Sequence, residues 1–317
     1  MEVEWVVGPL PDLGVATTEV IVRYTLEGEG LQPSTSGEFF TDSMGRTLIR
    51  RLRNTRPDWS LNHTYREPKK IEGNYYPILN RIMLKGSGEQ PMGFAVYPDR
   101  AEGGSSLQDL QVELMVHRAT SADDGLGVGE PLVERGIAGG LIVKGTHTLK
   151  LGPLRTVEDE DATMAQEVSR PTLPWFLGST TASPKQHFSV LACPLPIGIH
   201  LLTFMQWPIE GIMKARLANT KSTSVLVRLE NIGNRSTTVD LNGQFSLGQV
   251  VKVTEMTLTA NQEREAAEAN RLHWPTEGIK HAFTKKANSR NDTVLLDAAE
   301  IKTLILEFAN PDLSGKA

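Results

Sequence analysis

The fold of this chain is decided by residues 97–134, which read YPDRAEGGSSLQDLQVELMVHRATSADDGLGVGEPLVE. Within it, residues 111–117 alternate between polar and apolar side chains. The apolar positions are Val112, Leu114 and Val116, and the polar positions are Gln111, Glu113 and His117. A period of two predicts a β-strand that is buried on one side. Turn-forming residues flank it at 103–106 and 123–125, so on spacing alone the stretch is typical of a surface hairpin.

Similar strand-like runs recur along the rest of the chain, separated by Gly, Pro and Asp turns. The expected strands lie within 1–8, 19–24, 38–53 (a hairpin), 81–84, 94–97, 139–151 (a pair), 188–207, 224–230, 250–258, 293–296 and 301–308. Only residues 260–272 have a helical composition, and they lack a wide apolar stripe. Residues 155–184 combine an acidic run with several prolines and predict a loop or linker. Many short strands with little helical periodicity predict an all-β architecture of sheets packed face to face.

The composition is that of an ordinary globular protein. The chain has 317 residues, of which 39% are hydrophobic and 22% are charged, with a net charge of −5 and a pI near 5.9. This length suits one large domain or two ordinary ones. Because no strongly basic surface is implied, we expect no nucleic-acid partner. Because no apolar run is long enough to span a bilayer, we expect no membrane partner.

The cysteine and histidine content argues against a metal site in this chain. Cys193 is the single cysteine, so it cannot form an internal disulfide or a zinc site by itself, and we expect a small buried apolar residue. The seven histidines form no HxH, HExxH or HxD pattern. The first residues, 1–5, lack the basic start and apolar core of a signal peptide.

The order in which several short motifs follow one another is more informative than their spacing alone. The series consists of Asp99-Arg100, the run Gly103 to Leu107, the run Val112 to Arg118, the run Asp123 to Val128, and Glu130-Pro131-Leu132. The series closely resembles the C-terminal half of the glycoside hydrolase family 38 α-mannosidases of the lysosomal type. In that family DR, GGSSL, LELMVHRR, DDxRGV and EPL follow one another in this order. Residues 1–12 and 74–77 match further family phrases, and the similarity is weakest over 155–185 and 210–223.

The resemblance implies a fold and a division into domains. We expect a large β super-sandwich of the galactose-mutarotase-like kind over 1–207, followed by a smaller β-sandwich domain over 208–317. The family's aspartate nucleophile, second carboxylic acid and zinc ion lie in an N-terminal α/β barrel and the segment after it. The resemblance therefore implies that catalysis and zinc belong to an N-terminal catalytic half, and that this chain binds no cofactor itself.

The resemblance also indicates candidate residues at the edge of the substrate cleft: Arg118, Asp123, Asp124 and Leu126. The family's DDxRG arginine reaches toward the substrate, but here its position is Leu126. The position of the second arginine in the family's HRR is occupied here by Ala119, so Arg118 is the only arginine of that motif that remains. Both departures put substrate contact in doubt. Adjacent carboxylates on a turn are better placed to cap backbone N–H groups than to act as acid and base.

Three sequons offer candidate N-glycosylation sites at Asn62, Asn234 and Asn291. Asn62 is expected to be modified most readily, because it lies in a polar segment between Trp59 and Tyr65. Triplets of this kind also arise by chance, so they carry weight only alongside the resemblance. Together with it, they fit a lysosome or another compartment of the secretory pathway.

The function implied is hydrolysis of terminal α-linked mannose from glycoprotein-derived oligosaccharides. This chain would act as the scaffold of the catalytic barrel and as one wall of its cleft, and it would be inactive when isolated. Two alternatives stay open: a stand-alone carbohydrate-binding β-sandwich that has lost catalysis, and a structural module without enzymatic activity. The paired tyrosines Tyr75 and Tyr76 could stack on a sugar ring, but packing at a junction is the preferred interpretation.

Overall fold

The protein is described by a computed structural model, whose backbone contacts divide the chain into two units. The structure describes residues 1–11, 17–28, 30, 32–33, 35–43, 45–55, 71–127, 129–136, 139–174, 176, 187, 189–207, 222–272 and 292–309. The first unit is Met1–Pro174 and the second is Trp175–Ala317. This division comes earlier than the boundary expected between residues 207 and 208.

The described part of the first unit is built mainly from antiparallel strands. They are β1 (Glu2–Val7), β2 (Thr18–Thr25), β3 (Glu38–Ser43), β4 (Thr47–Leu52), β5 (Tyr76–Ile78), β6 (Ile82–Lys85), β7 (Met92–Pro98), β8 (Glu102–Ser105), β9 (Gln111–Ala119), β10 (Arg135–Gly136), β11 (Gly139–Gly140) and β12 (Val143–Pro153). One six-stranded sheet, here sheet A, has the order β1-β12-β7-β6-β3-β4. A four-stranded sheet, here sheet B, has the order β2-β9-β8-β5, and β10 pairs with β11.

Sheets A and B face each other across an apolar core, as the alternation predicted. Sheet A contributes Phe94 and Val96, and sheet B contributes Val112 and Leu114, all at most 3% exposed. Burial of one such side chain contributes about 1.5–3 kcal/mol. The expectation of an all-β sandwich is confirmed.

The polar side of β9 differs from the prediction at one residue. Glu113 was expected on an exposed face, but it is only 4% exposed. Arg23 on β2 covers it, with Nη2 donating to Glu113 Oε2 over 2.7 Å, and the Tyr75 hydroxyl donates to Oε1. A carboxylate can be buried when its oxygens are paired in this way. Burial, followed by the bond to Glu113, raises the pKa of Tyr75 well above its ordinary value.

A long helix contradicts the loop predicted from residue 155 onward. Helix α1 (Leu154–Ser169) has 16 residues, so helix is not restricted to residues 260–272, where the composition predicted it. Its buried residues are Val157, Asp161 and Ala165, spaced four apart. They pack with Met83, Ala95 and Tyr97 on the outer face of sheet A. The acidic residue at the centre of this stripe concealed it in the sequence.

Two hairpin predictions had different outcomes. The hairpin over 38–53 is confirmed as β3 and β4, with Asp42 Oδ2 accepting the N–H of Gly45 over 2.8 Å in the turn. The prediction of a strand pair over residues 139–151 is wrong. A single long strand, β12, runs from Val143 and pairs with β1 on one side and β7 on the other.

The described part of the second unit is also antiparallel β-structure. Its elements are β13 (Ile199–Gln206), β14 (Ser222–Asn231), β15 (Thr237–Asp240), β16 (Val250–Met256), helix α2 (Arg264–Ala269), β17 (Thr293–Leu296) and β18 (Ile301–Ala309). One sheet has the order β13-β14-β18-β16, and β15 pairs with β17. Because β13 pairs with β14, residues 199–206 belong to the second unit and not to the first.

The core of the second unit again joins two sheets. Leu229 and Leu306 of the four-stranded sheet pack in one cluster with Val239 and Leu296 of the strand pair. Helix α2 occupies six residues of the segment with helical composition. Cys193 is exposed, so the prediction of a buried thiol is wrong. Among the described residues, no helix has the length and apolar character needed to cross a membrane.

Candidate functional site

The candidate residues lie where the chain leaves sheet B at the end of β9. Arg118 is paired with Glu19 of the neighbouring strand β2, with 3.1 Å between Arg118 Nε and Glu19 Oε1. The side chains are 49% and 38% exposed, respectively. An exposed pair of this kind contributes at most about 1 kcal/mol. Arg118 is therefore only loosely engaged and can offer donors to another partner.

An open pocket of about 250 Å³ adjoins Arg118. It is lined by Leu10, His117, Arg118, Ala119, Leu132, Val133, Glu134, Gly139, Gly140 and Leu141. Its polar groups are one guanidinium, one imidazole and one carboxylate, and apolar side chains supply much of the remainder. The arrangement can bind a polar group through Arg118 and Glu134 while contacting an apolar surface at its rim.

His117 lines the pocket, and both of its ring nitrogens contact backbone groups. Its Nδ1 accepts the backbone N–H of Arg118 over 2.9 Å. Its Nε2 lies 3.3 Å from the carbonyl oxygen of Leu141. With Nδ1 accepting, the proton shared with the Leu141 carbonyl is assigned to Nε2, which donates it. His117 therefore ties β9 to the segment before β12 and is not free to ligate a metal in this form.

The two neighbouring aspartates cap the turn that follows β9. Asp123 Oδ2 accepts the N–H of Gly125 over 2.8 Å, and Asp124 Oδ1 accepts the N–H of Leu126 over 2.9 Å. This capping role was expected from the sequence and is confirmed. The Leu126 side chain is 88% exposed. The structure thus brings Arg118 and Ala119 into the pocket, whereas Asp123, Asp124 and Leu126 do not line it.

The described residues offer no donor set for a metal ion. Within them, no group of three or more His, Cys, Asp or Glu side chains is placed to hold one. The tyrosine pair is committed to packing, as preferred: Tyr76 contacts Phe39 edge-on and lies under the Arg51 guanidinium. Tyr75 is bound to Glu113 on the other face of sheet B.

Sequence reasoning missed the contribution of residues 132–141 to the pocket. The sequence predicted only that residues 139–151 form a strand pair. It did not indicate that Leu132, Leu141 and Leu10 meet beside β9. That meeting depends on two contacts, the bridge between Thr120 and Leu132 and the approach of Pro9 to Gly140.

Of the three candidate N-glycosylation sites, the structure describes Asn234. Asn62 and Asn291 lie outside the described residues. Asn234 is exposed in the turn between β14 and β15, where the Ser236 hydroxyl donates to Asp297 Oδ1 over 2.8 Å. An exposed acceptor in a turn suits glycan transfer.

We expect Asn234 to carry a glycan when the chain is made in a secretory host. The measurement is intact mass before and after a glycosidase that removes N-glycans, on a variant with both Asn62→Gln and Asn291→Gln. Additional replacement by Asn234→Gln serves as the control and should abolish the mass change. An unchanged mass in the double variant would contradict the prediction.

A comparison with known protein families finds one match in each unit. Residues 1–126 match the model described as Glycosyl hydrolases family 38 C-terminal domain. Residues 212–304 match the model described as Glycosyl hydrolases family 38 C-terminal beta sandwich domain.

Full-length relatives match nearly the whole chain. Lysosomal alpha-mannosidase of Felis catus is 36% identical over 313 residues, which cover 96% of this chain and 29% of the relative. The human protein of the same name is 36% identical, covering 99% of this chain and 30% of the relative. Alpha-mannosidase of Canavalia ensiformis is 32% identical and is covered to 31%. A crystal structure of an alpha-mannosidase from Enterococcus faecalis aligns with 92% of this chain and 26% of its own, at 13% identity and a TM-score of 0.46.

Proposed function

Because the chain belongs to the C-terminal region of glycosyl hydrolases family 38, we propose that it is the β-domain portion of an α-mannosidase. The reaction proposed for the whole protein is hydrolysis of terminal α-linked mannose from glycoprotein-derived oligosaccharides. The proposed compartment is the lysosome, after the names of the mammalian relatives. The observation that carries the proposal is the pair of family matches at residues 1–126 and 212–304 in one chain.

We place the catalytic acid, nucleophile and zinc of this reaction in an N-terminal catalytic half. The described residues of this chain offer zinc no site. The matched relatives are about three times longer than the stretch they share with it, since that stretch spans 29% and 30% of the feline and human proteins. The work left to this chain is to support the catalytic half and to form one wall of its cleft.

Exposed apolar side chains beside the pocket support a contact with that half. Val6 is 69% exposed, Ile142 is 63% exposed, and Leu132 and Leu141 are 43% and 39% exposed. Leu132 and Leu141 line the pocket, Ile142 follows Leu141 in the chain, and Val6 precedes Val7, which pairs with Val143. An apolar cluster rimmed by polar groups is typical of an interaction surface. We call Val6, Leu132, Leu141 and Ile142 the apolar rim.

The isolated chain is expected to turn over no mannoside. The reason is that its described residues provide no zinc site, and the pocket beside Arg118 is lined by one carboxylate, Glu134, whereas glycoside hydrolysis usually needs two. The measurement is release of chromophore from an aryl α-mannoside with added zinc. Turnover that survives repurification, and is lost in Asp123→Ala or Asp124→Ala, would contradict the proposal.

Leu126→Arg in the full-length protein is expected to raise kcat/KM on an oligomannose substrate. An arginine here would offer several donors to sugar hydroxyls. A hydrogen bond from a charged group contributes roughly 1.5–3 kcal/mol, or about one to two powers of ten. Leu126 is 88% exposed, so the substitution should leave the isolated chain folded. An unchanged or lower kcat/KM would mean that this position does not face the substrate or that another group, such as Arg118, already fills the role.

A further inference from the structure

The pocket beside Arg118 contains two opposite charges that are not paired with each other. Arg118 and Glu134 both line it. The Arg118 guanidinium contacts Glu19 through Nε. In the part of the chain that the structure describes, its Nη groups donate to no protein acceptor, and the Glu134 carboxylate accepts from no protein donor. The pocket therefore presents hydrogen-bond donors and an acceptor that a ligand can use.

The walls of the pocket are linked by hydrogen bonds that involve the backbone. The N–H of Thr120, just after β9, donates to the carbonyl oxygen of Leu132 over 3.0 Å, and the N–H of Leu132 donates to the Thr120 hydroxyl oxygen over 3.2 Å. His117 Nε2 lies 3.3 Å from the carbonyl oxygen of Leu141. These contacts tie the end of β9 to both of the other segments. Since the walls are already in place, a ligand has little to order when it binds.

The chemistry of the pocket is that of a binding site and not of a reaction centre. Glycoside hydrolysis usually needs two carboxylates, and this pocket is lined by one, Glu134. Its volume of about 250 Å³ is below the range of roughly 300–1,000 Å³ that is typical of pockets for drug-sized ligands. The pocket is therefore suited to hold a small group, about the size of one sugar ring, without cleaving it.

The lining of the pocket matches a neutral group with several hydroxyls. An anion would be repelled by Glu134, and a cation would be repelled by Arg118. A hydroxyl both donates and accepts, so neighbouring hydroxyls can bond to Arg118 and Glu134 together. Leu10, Val133 and Leu141 add apolar contacts, which suit the C–H face of a sugar ring.

We propose that this pocket binds a mannose unit of the oligosaccharide that is not itself hydrolysed. The identity of the sugar rests on the proposed function, whereas the hydrogen-bonding groups and the size come from the pocket. Arg118 and Glu134 then determine specificity: they favour a substrate with several sugars over a substrate that carries only the reacting one.

The first test compares two substrates of the full-length protein: an oligomannose, and an aryl α-mannoside, which carries only the reacting sugar. Arg118→Ala and Glu134→Ala should each lower the ratio of kcat/KM for the oligomannose to kcat/KM for the aryl α-mannoside by about tenfold, because each removes a charged hydrogen-bonding group. The control is Arg155→Ala on helix α1, whose side chain is 80% exposed and does not line the pocket. It should leave the ratio unchanged.

Two results of this comparison would overturn the proposal. One is an unchanged ratio in both pocket variants. The other is an equal loss of kcat/KM on both substrates, which would show that the pocket contacts the catalytic half or the reacting sugar. Neither result contradicts the proposed function, which fails if the unmodified full-length protein hydrolyses neither substrate.

The second test measures binding and does not depend on catalysis. The unmodified 317-residue chain is titrated with α-linked mannobiose and followed by ¹H–¹⁵N amide spectra. Saturable shifts are expected at the amides of Ala119, Glu134 and Gly140, which line the pocket. They should be lost in Arg118→Ala and kept in Arg155→Ala. No shifts at these amides, or shifts of the same size in Arg118→Ala, would overturn the proposal. Should a pocket variant fail to fold, the titration of the unmodified chain decides.

Discussion

Asp161→Ala is expected to lower the free energy of unfolding of the first unit by about 3–5 kcal/mol, because it breaks a buried ion pair from one side. Asp161 Oδ2 lies 2.6 Å from Arg81 Nε, and the two side chains are 7% and 3% exposed. Asp161 Oδ1 also accepts the hydroxyl proton of Tyr97 over 3.0 Å. Burial raises the pKa of Asp161, and the Arg81 charge opposes that rise. Without the carboxylate, the guanidinium stays buried with no counter-ion.

A matched control lies on the same helix. Asp159 is 46% exposed and faces Arg155 at 3.9 Å across one turn. Asp159→Ala should cost no more than about 0.5 kcal/mol, since an exposed pair at this spacing contributes little. The measurement is urea unfolding of both variants and the parent chain. Equal costs for the two substitutions would show that helix α1 is not anchored through Asp161.

The strands could be predicted because buried and less buried side chains alternate along a β-strand with a period of two residues. In β18, Leu304, Leu306 and Phe308 alternate with less buried residues, and all three are at most 1% exposed in the core. The same holds for Val112 and Leu114 of β9. Alternation reports only local geometry, however, and it placed Glu113 in solvent because it carries no information about Arg23 or Tyr75.

Helix α1 could not be predicted by the same reasoning. Its buried stripe contains Asp161, which the sequence presents as part of an acidic run. Only the position of Arg81, 80 residues earlier in the chain, makes a carboxylate acceptable on that face. The pairing of β13 with β14 could not be predicted for a related reason, because it joins segments separated by residues that carry no strand pattern.

At the candidate site, hydrogen bonds between neighbouring residues could be predicted from the sequence. The meeting of distant segments around the pocket could not. The turn-capping role of Asp123 and Asp124 follows from neighbouring residues, and the structure shows it. The pocket beside Arg118 is formed by segments around Leu10, Leu132 and Leu141, which are distant in sequence. Contacts of this range also join His147 on β12 to Glu102 on β8 and Tyr24 on β2, which no local motif indicated.

Ile142→Lys in the full-length protein is expected to lower α-mannosidase activity by at least about tenfold, which corresponds to about 1.4 kcal/mol. Ile142 belongs to the apolar rim and is 63% exposed in this chain. In the proposed assembly the rim is covered by the catalytic half, and a lysine there would place a charge in an apolar contact. The isolated chain should be almost unaffected, because surface substitutions usually change stability by no more than about 0.5 kcal/mol.

A control of the same chemistry is available in the second unit. Ile197 is 94% exposed and lies outside the apolar rim. Ile197→Lys should leave the activity of the full-length protein unchanged. Equal activity in the two lysine variants would show that the rim is not part of the contact.

We propose that this chain supports a catalytic half that cannot work without it. The most direct measurement is kcat/KM on an aryl α-mannoside, together with Tm, for the catalytic half made with and without residues 1–317. We expect measurable turnover only when residues 1–317 are present, and a lower Tm when they are absent. A catalytic half that keeps the same kcat/KM and the same Tm without them would contradict it.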